Sequence, residues 1–161
     1  MKATGIVRRV DELGRLVIPK EIRRTMRLTE GTPLEIFTDR EGQIILKKYS
    51  PMMELGSFAK QYAESVAQTM NQKVAVSDRD QIIAVAGGGK RELLGKTISR
   101  QLEEMIINRE NSIQAGLDKK TIPLISGDED SYSAQAIYPI CCEGDCIGAV
   151  ILYSRENQTH F

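Results

Sequence analysis

The 161-residue chain has one histidine, three cysteines and no net charge, and each scarcity removes a class of function. His160 is next to last, so no histidine stands where it could act as base for a buried serine or cysteine nucleophile. Cys141, Cys142 and Cys146 crowd into one short stretch. An odd count so spaced is no disulfide framework, and three thiolates without a nearby histidine fall short of a four-ligand zinc site. They read as ordinary small residues of a hairpin, with a redox or metal role as the weaker alternative. No apolar run approaches the roughly 20 residues that span a bilayer. "MKATGIVRRV" also lacks the apolar core of a signal peptide. A cytoplasmic protein without a membrane partner is expected.

What is present is ordinary in amount and uneven in place. Apolar residues make up 41% and charged residues 27%, close to the averages of globular proteins. Residues 1–50 hold 11 Lys/Arg against 7 Asp/Glu, a net of +4, and residues 51–161 hold 11 against 15, a net of −4. Such a split suggests that the basic part meets a polyanion. The charge concentrates in "RRVDELGRLVIPKEIRR", Arg8 to Arg24, with five arginines and one lysine among apolar residues that alternate like a strand.

The first 50 residues read as strand, turn, strand, helix, strand, turn, strand. "ATGIVRRV" and "RLVIP" flank the turn "DELG", with Asp at its start and Gly at its end. Pro19 stops the second strand and suits the first helical position. "KEIRRTMRL" then spaces Ile22 and Met26 on one helical face and Arg23 and Arg27 on another. "LEIFT" and "QIILKKY" form a hairpin around "DREG". A unit of this size buries too little surface to be comfortable alone. With no cysteine or metal site to help, two copies sharing one core are expected.

Residues 51–72 read as a connecting helix of about 18 residues whose apolar stripe is Leu55, Phe58, Tyr62, Val66 and Met70. The stripe suits a partner helix, the second domain, or both in part. From Lys73 onward come "KVAVS" and "QIIAVAG", the helix "TISRQLEEMIINRE", a short strand "TIPLIS", and a hairpin of "SAQAIYPICC" and "CIGAVILYS". That order describes an α+β domain with its sheet covered on one face.

Two stretches resemble chemistry. "GGGKRELLGKT" follows a strand as a phosphate-binding loop would, but G-x-x-x-x-G-K-[ST] requires glycine at position 90, which is Lys90. Gly89 is one residue too far, so a nucleotide-binding enzyme is kept only as the alternative to a plain turn into a helix. "GDEDS", Gly127 to Ser131, lacks the spaced oxygens of a calcium loop and reads as a solvated acidic loop. The arginines remain. Arg8 and Arg9 end one strand, Arg15 opens the next, and Arg23 and Arg24 lie on the helix, interspersed with Asp11, Glu12 and Glu21. Arginine clamps phosphates bidentately and reads guanine edges better than lysine does.

The pattern "TGIVR-x-VDELGR-x-VIP-x-E-x-RR" closely resembles the AbrB family of bacterial transition-state regulators over essentially all of residues 1–50. The resemblance implies a swapped-hairpin barrel in which two chains interleave, double-stranded DNA as partner, and Arg8, Arg9, Arg15, Arg23 and Arg24 as DNA-contacting residues. It also implies loosely defined, A·T-rich or bendable targets, read partly through shape. With the remaining residues attached, the chain looks like those members that activate and repress genes in the developing spore, working at the nucleoid as tetramers. Residues 73–161 resemble a GAF domain through "KVAVS", "QIIAVAG" and "IYPICCEGDCIGAVILYS". That likeness implies joining of two dimers into a homotetramer and a small-molecule pocket near "AVAGGGKRELLGKT" and the 110–132 loops. No cofactor, metal or catalytic residue is expected. The chain stops at "SRENQTHF", where GAF domains carry a further terminal helix.

Overall fold

The computed structural model describes residues 2–115, 120–128 and 132–155. Contacts divide the chain into two units, Met1–Tyr49 and Ser50–Phe161.

The first unit opens with the turn of Asp11 to Arg15. Gly14 takes φ 74°, a left-handed conformation that glycine adopts without Cβ crowding. The Asp11 amide donates to the Arg15 carbonyl at 3.0 Å, and the Gly14 amide donates to the Asp11 carbonyl at 3.0 Å. The flanking segments, expected to be strands, belong to none. A strand completes its ladder only against a neighbouring edge, and among the described residues the segments 2–10 and 15–19 form no ladder with β1, β2 or any other strand. Pro19 stands just before helix α1 (Lys20–Thr25) rather than inside it. Past the helix, Leu28 donates to the Arg23 carbonyl at 2.7 Å and Arg27 to the Arg24 carbonyl at 3.2 Å. With Arg27 at φ 56°, this is a Schellman closure, so Arg27 caps α1 instead of lining it as the spacing suggested. Strands β1 (Leu34–Thr38) and β2 (Ile44–Lys48) then pair antiparallel, Leu34 opposite Lys48 and Thr38 opposite Ile44.

The second unit begins with a short helix α2 (Pro51–Glu54) and, after a break at Leu55, helix α3 (Gly56–Met70). Five strands follow in one antiparallel sheet: β3 (Lys73–Ser77), β4 (Ile82–Ala86), β5 (Ser112–Ala115), β6 (Ala134–Cys142) and β7 (Asp145–Ser154), ordered β4-β3-β7-β6-β5. Between β4 and β5 lie helices α4 (Lys90–Leu93) and α5 (Arg100–Ile107). Ser99 caps α5, its hydroxyl accepting from the Leu102 amide at 3.1 Å and donating to the Pro123 carbonyl at 2.6 Å.

Helices cover both faces of this sheet, not one. On one face Leu93, Ile98, Leu102, Ile106, Leu124 and Tyr132 pack on Ala75, Ile82, Ile137 and Ile151. On the other, Ala59, Ala63 and Ala67 of α3 pack on Val74, Val76, Ala84 and Ala86. The buried side of α3 is therefore its alanine side. Small side chains let the helix approach the sheet, and the larger Leu55, Phe58, Tyr62 and Met70 are left exposed.

"TIPLIS" is not a strand. Ile125 bridges Ile98, and the Gln135 side chain substitutes for a neighbouring strand at Ile122, accepting from its amide at 3.0 Å and donating to its carbonyl at 2.8 Å. Pro123 has no amide with which to continue a ladder. The edge of the sheet is instead Ser112–Ala115, paired with β6. Cys141 and Cys146 face each other across the β6–β7 hairpin and are joined as a disulfide, which corrects their reading as plain hairpin residues; Cys142 is free and exposed. The expected lack of a terminal helix after β7 concerns residues 156–161, outside the described residues.

Candidate nucleic-acid interface

No described residue of the first unit is buried. Val7, Val17, Ile36 and Ile44 are between 67% and 83% exposed, a condition natural cores do not tolerate. Leu16, Val17, Ile22, Met26, Ile44 and Leu46, with Arg8 beside them, line an open cleft of about 320 Å³.

Around this apolar surface the five candidate arginines are all exposed. Arg8 donates to the Val7 carbonyl at 3.1 Å and borders the cleft; Arg9 follows it before the turn. Arg23 and Arg24 occupy the last turn of α1, where cations complement the negative end of a helix, and both carbonyls are closed by the cap. Arg15 differs from the others. Its Nε donates to Asp11 Oδ2 at 2.7 Å, and its amide donates to Asp11 Oδ1 at 2.7 Å. The amide of Arg15 and then its guanidinium hold the Asp11 carboxyl below the usual carboxylate range. From the sequence Asp11 is the start of the turn and one of the interspersed acids, with no link to Arg15. The signal that marks it is aspartate four residues before arginine with glycine between them.

Five amides of the near phosphate loop are already engaged within the chain. The amides of Glu92 and Leu93 donate to the Gly89 carbonyl, Leu94 to Lys90, Lys96 to Leu93, and Gly95 to Ile82. Gly89 takes φ 80° with the Tyr153 hydroxyl close to where a Cβ would stand, and that hydroxyl donates to the Gly88 carbonyl at 3.2 Å. These hydrogen bonds turn the chain into α4 and on to Gly95, so the five amides they use are not offered to a phosphate.

Of the acidic loop, Asp128 accepts from the Tyr132 hydroxyl at 2.6 Å and pairs with Arg155, which also lies over the Tyr132 ring and reaches Glu92 at 3.3 Å. Residues 129–131 lie outside the described residues. Burial raises the Tyr132 hydroxyl, with Asp128 adding to the effect, and burial pushes Tyr153 up to about 12. Side chains of the first core, among them Leu93, Ile106 and Tyr132, pack on the sheet face where a ligand pocket was expected; residues 116–119 and 129–131 of the 110–132 loops lie outside the described residues. Among the described residues, no histidine, cysteine or carboxylate cluster suits a metal ion, and no helix is long and apolar enough to cross a membrane.

The family model described as "Stage V sporulation protein T C-terminal, transcription factor" matches residues 54–161, and "Antidote-toxin recognition MazE, bacterial antitoxin" matches residues 7–53. Stage V sporulation protein T of Bacillus subtilis (strain 168) is 49% identical over 157 residues, 98% of this chain and 87% of that protein. The transition state regulatory protein AbrB of the same organism is 64% identical over 53 residues, 33% of this chain and 54% of its own length. Among solved structures, the phycoerythrobilin-bound GAF domain of a cyanobacterial phytochrome aligns at 21% identity over 66% of this chain and 76% of its own, with TM-score 0.46.

An AbrB-type N-terminal unit rich in exposed arginine, followed by a unit that matches the C-terminal model of a sporulation transcription factor, defines a transcription factor with an AbrB-type DNA-binding domain. The chain belongs to the stage V sporulation protein T family.

Proposed function

We propose that this chain is a DNA-binding regulator of sporulation genes, activating some and repressing others, that grips duplex DNA with Arg8, Arg9, Arg15, Arg23 and Arg24. In this reading residues 1–50 bind DNA, residues 51–72 connect, and residues 73–161 regulate. The observation that carries it is the coexistence of five exposed arginines with an apolar surface that no described residue of its own unit covers. A second copy inserting residues 2–19 beside β1 and β2 supplies the missing ladder partners, buries Val7, Val17, Ile36 and Ile44, and sets ten arginines on one assembly. The exposed stripe of α3 suits joining two such dimers into a tetramer. The protein works in the cytoplasm, at the nucleoid, and performs no catalysis.

The test is duplex-DNA affinity of the whole chain at several salt concentrations. Each phosphate neutralised contributes about −0.9 to the slope of log affinity against log salt, so roughly −4 or steeper is expected for a dimer. Arg15→Ala is expected to weaken binding at least tenfold with the fold intact. An unchanged dissociation constant for that variant overturns the assignment.

A further inference from the structure

The chain builds one turn twice. "DELGR" and "DREGQ" share aspartate at the first position and glycine at the fourth. In the first, Asp11 Oδ1 accepts from the amides of Leu13 at 3.0 Å and Arg15 at 2.7 Å. In the second, Asp39 Oδ1 accepts from the amides of Glu41 and Gln43, both at 2.9 Å. Each aspartate amide donates to the fifth carbonyl, Asp11 to Arg15 at 3.0 Å and Asp39 to Gln43 at 3.2 Å. Gly14 and Gly42 take φ 74° and 79°. One carboxylate oxygen therefore suffices to build the turn.

The two turns part at the fifth side chain. Gln43 Nε2 donates to Glu41 Oε2 at 3.3 Å, whereas Arg15 Nε donates to the second oxygen of Asp11 at 2.7 Å. The Asp39 turn forms without that contact, so the fold does not require it. Stability does not explain it either: the two side chains are 71% and 38% exposed, and exposed ion pairs contribute little.

We propose that Asp11 is a positioning residue for DNA recognition, holding the Arg15 guanidinium by its Nε so that the paired Nη groups are presented as a fixed fork. This rests on the reading of Arg15 as a DNA contact. A free arginine carries rotamer entropy that binding must remove, and the grip of Asp11 removes part of it beforehand. The exposed Nη edge matches a bidentate acceptor pair such as guanine O6 and N7 or two phosphate oxygens. The carboxylate meanwhile cancels much of the arginine charge. Arg15 thus contributes discrimination between sequences, and Arg8, Arg9, Arg23 and Arg24 contribute the salt-dependent attraction.

The experiment uses the full chain and two 40-base-pair duplexes, one A·T-rich and one G·C-rich, at three salt concentrations. Asp11→Asn keeps an oxygen for both amides and loses the charge that holds Nε. We expect the affinity ratio between the duplexes to fall at least fivefold. The salt slope should steepen by up to about 0.9 as the Arg15 charge is unmasked. In an Arg15→Ala background the same substitution should change the ratio less than twofold. Asp39→Asn, the matched substitution in the other turn, should leave the ratio alone. Arg15→Lys, whose side chain has no fork, keeps the backbone turn and should lower the ratio with an unchanged slope, which tests the idea even if Asp11→Asn unfolds the unit. The proposal is overturned if the wild type does not distinguish the duplexes, if Asp11→Asn leaves the ratio unchanged, if its effect persists without Arg15, or if Arg15→Lys discriminates as wild type does. A wild type that binds neither duplex overturns instead the reading on which the proposal rests.

Discussion

The uncovered apolar surface of the first unit makes a quantitative demand. Ile44 is 72% exposed at the start of β2 and lines the cleft. If a second copy buries it, Ile44→Ala removes three carbons from a packed site, which costs about 2–5 kcal/mol per site. The site occurs twice in a symmetric dimer, so even the low end gives about 4 kcal/mol, or about a thousandfold in the opening equilibrium at 1.4 kcal/mol per tenfold. Amide hydrogen exchange reads this directly, because amides of β1 and β2 exchange only when the shared core opens. The full-length Ile44→Ala variant should exchange residues 34–48 about a thousandfold faster than wild type, while amides of β3 and β7 in the second unit keep their rates. A change under threefold in residues 34–48 would mean that Ile44 stays in water and the unit folds singly, and the argument from exposure would fail.

Gly148 on β7 comes so close to the Ser77 carbonyl on β3 that any Cβ would overlap it, so Gly148→Ala should spread the pair and lower the melting temperature by roughly 10 °C; a drop below 3 °C in calorimetry contradicts the contact. Tyr153 is 2% exposed and its hydroxyl is pushed up to about 12. The unfolded chain ionises near pH 10 while the native state keeps its proton, so stability holds below about pH 10 and falls by roughly 2–3 kcal/mol as pH approaches 12. Urea midpoints across that range, with Tyr153→Phe as reference, check the sign. Reduction of Cys141–Cys146 opens a link only five residues apart in sequence, within a hairpin already held by its ladder. The chain-entropy relation limits the loss to about 2 kcal/mol, and thiol titration should find one free thiol per unfolded chain before reduction and three after. Arg27→Gly removes the cost of a left-handed non-glycine cap and should stabilise the first unit by about 1 kcal/mol, read as slower amide exchange in α1.

Features that neighbouring residues settle among themselves can be read without the fold. The hairpin of β1 and β2, the strands β3, β4, β6 and β7, the core side of α5 and the turn at Gly14 follow from alternation, helical spacing and glycine placement within a dozen residues. The five arginines were legible for the same reason, since their density needs no tertiary contact to be seen. Tertiary structure decided whatever depends on distant partners. Ser112–Ala115 is a strand only because β6 offers its edge, and "TIPLIS" is not one because Pro123 interrupts it and the Gln135 side chain serves Ile122 instead. The large apolar stripe of α3 suggested the buried side, but the distance of closest approach to the sheet selected Ala59, Ala63 and Ala67. Residues 2–10 and 15–19 alternate like strands and join no ladder among the described residues, because alternation marks a side-chain pattern and pairing needs a partner edge brought alongside. The grip of Asp11 on Arg15 likewise appears only when the turn folds the two side chains together, four residues apart in sequence and 2.7 Å apart in space.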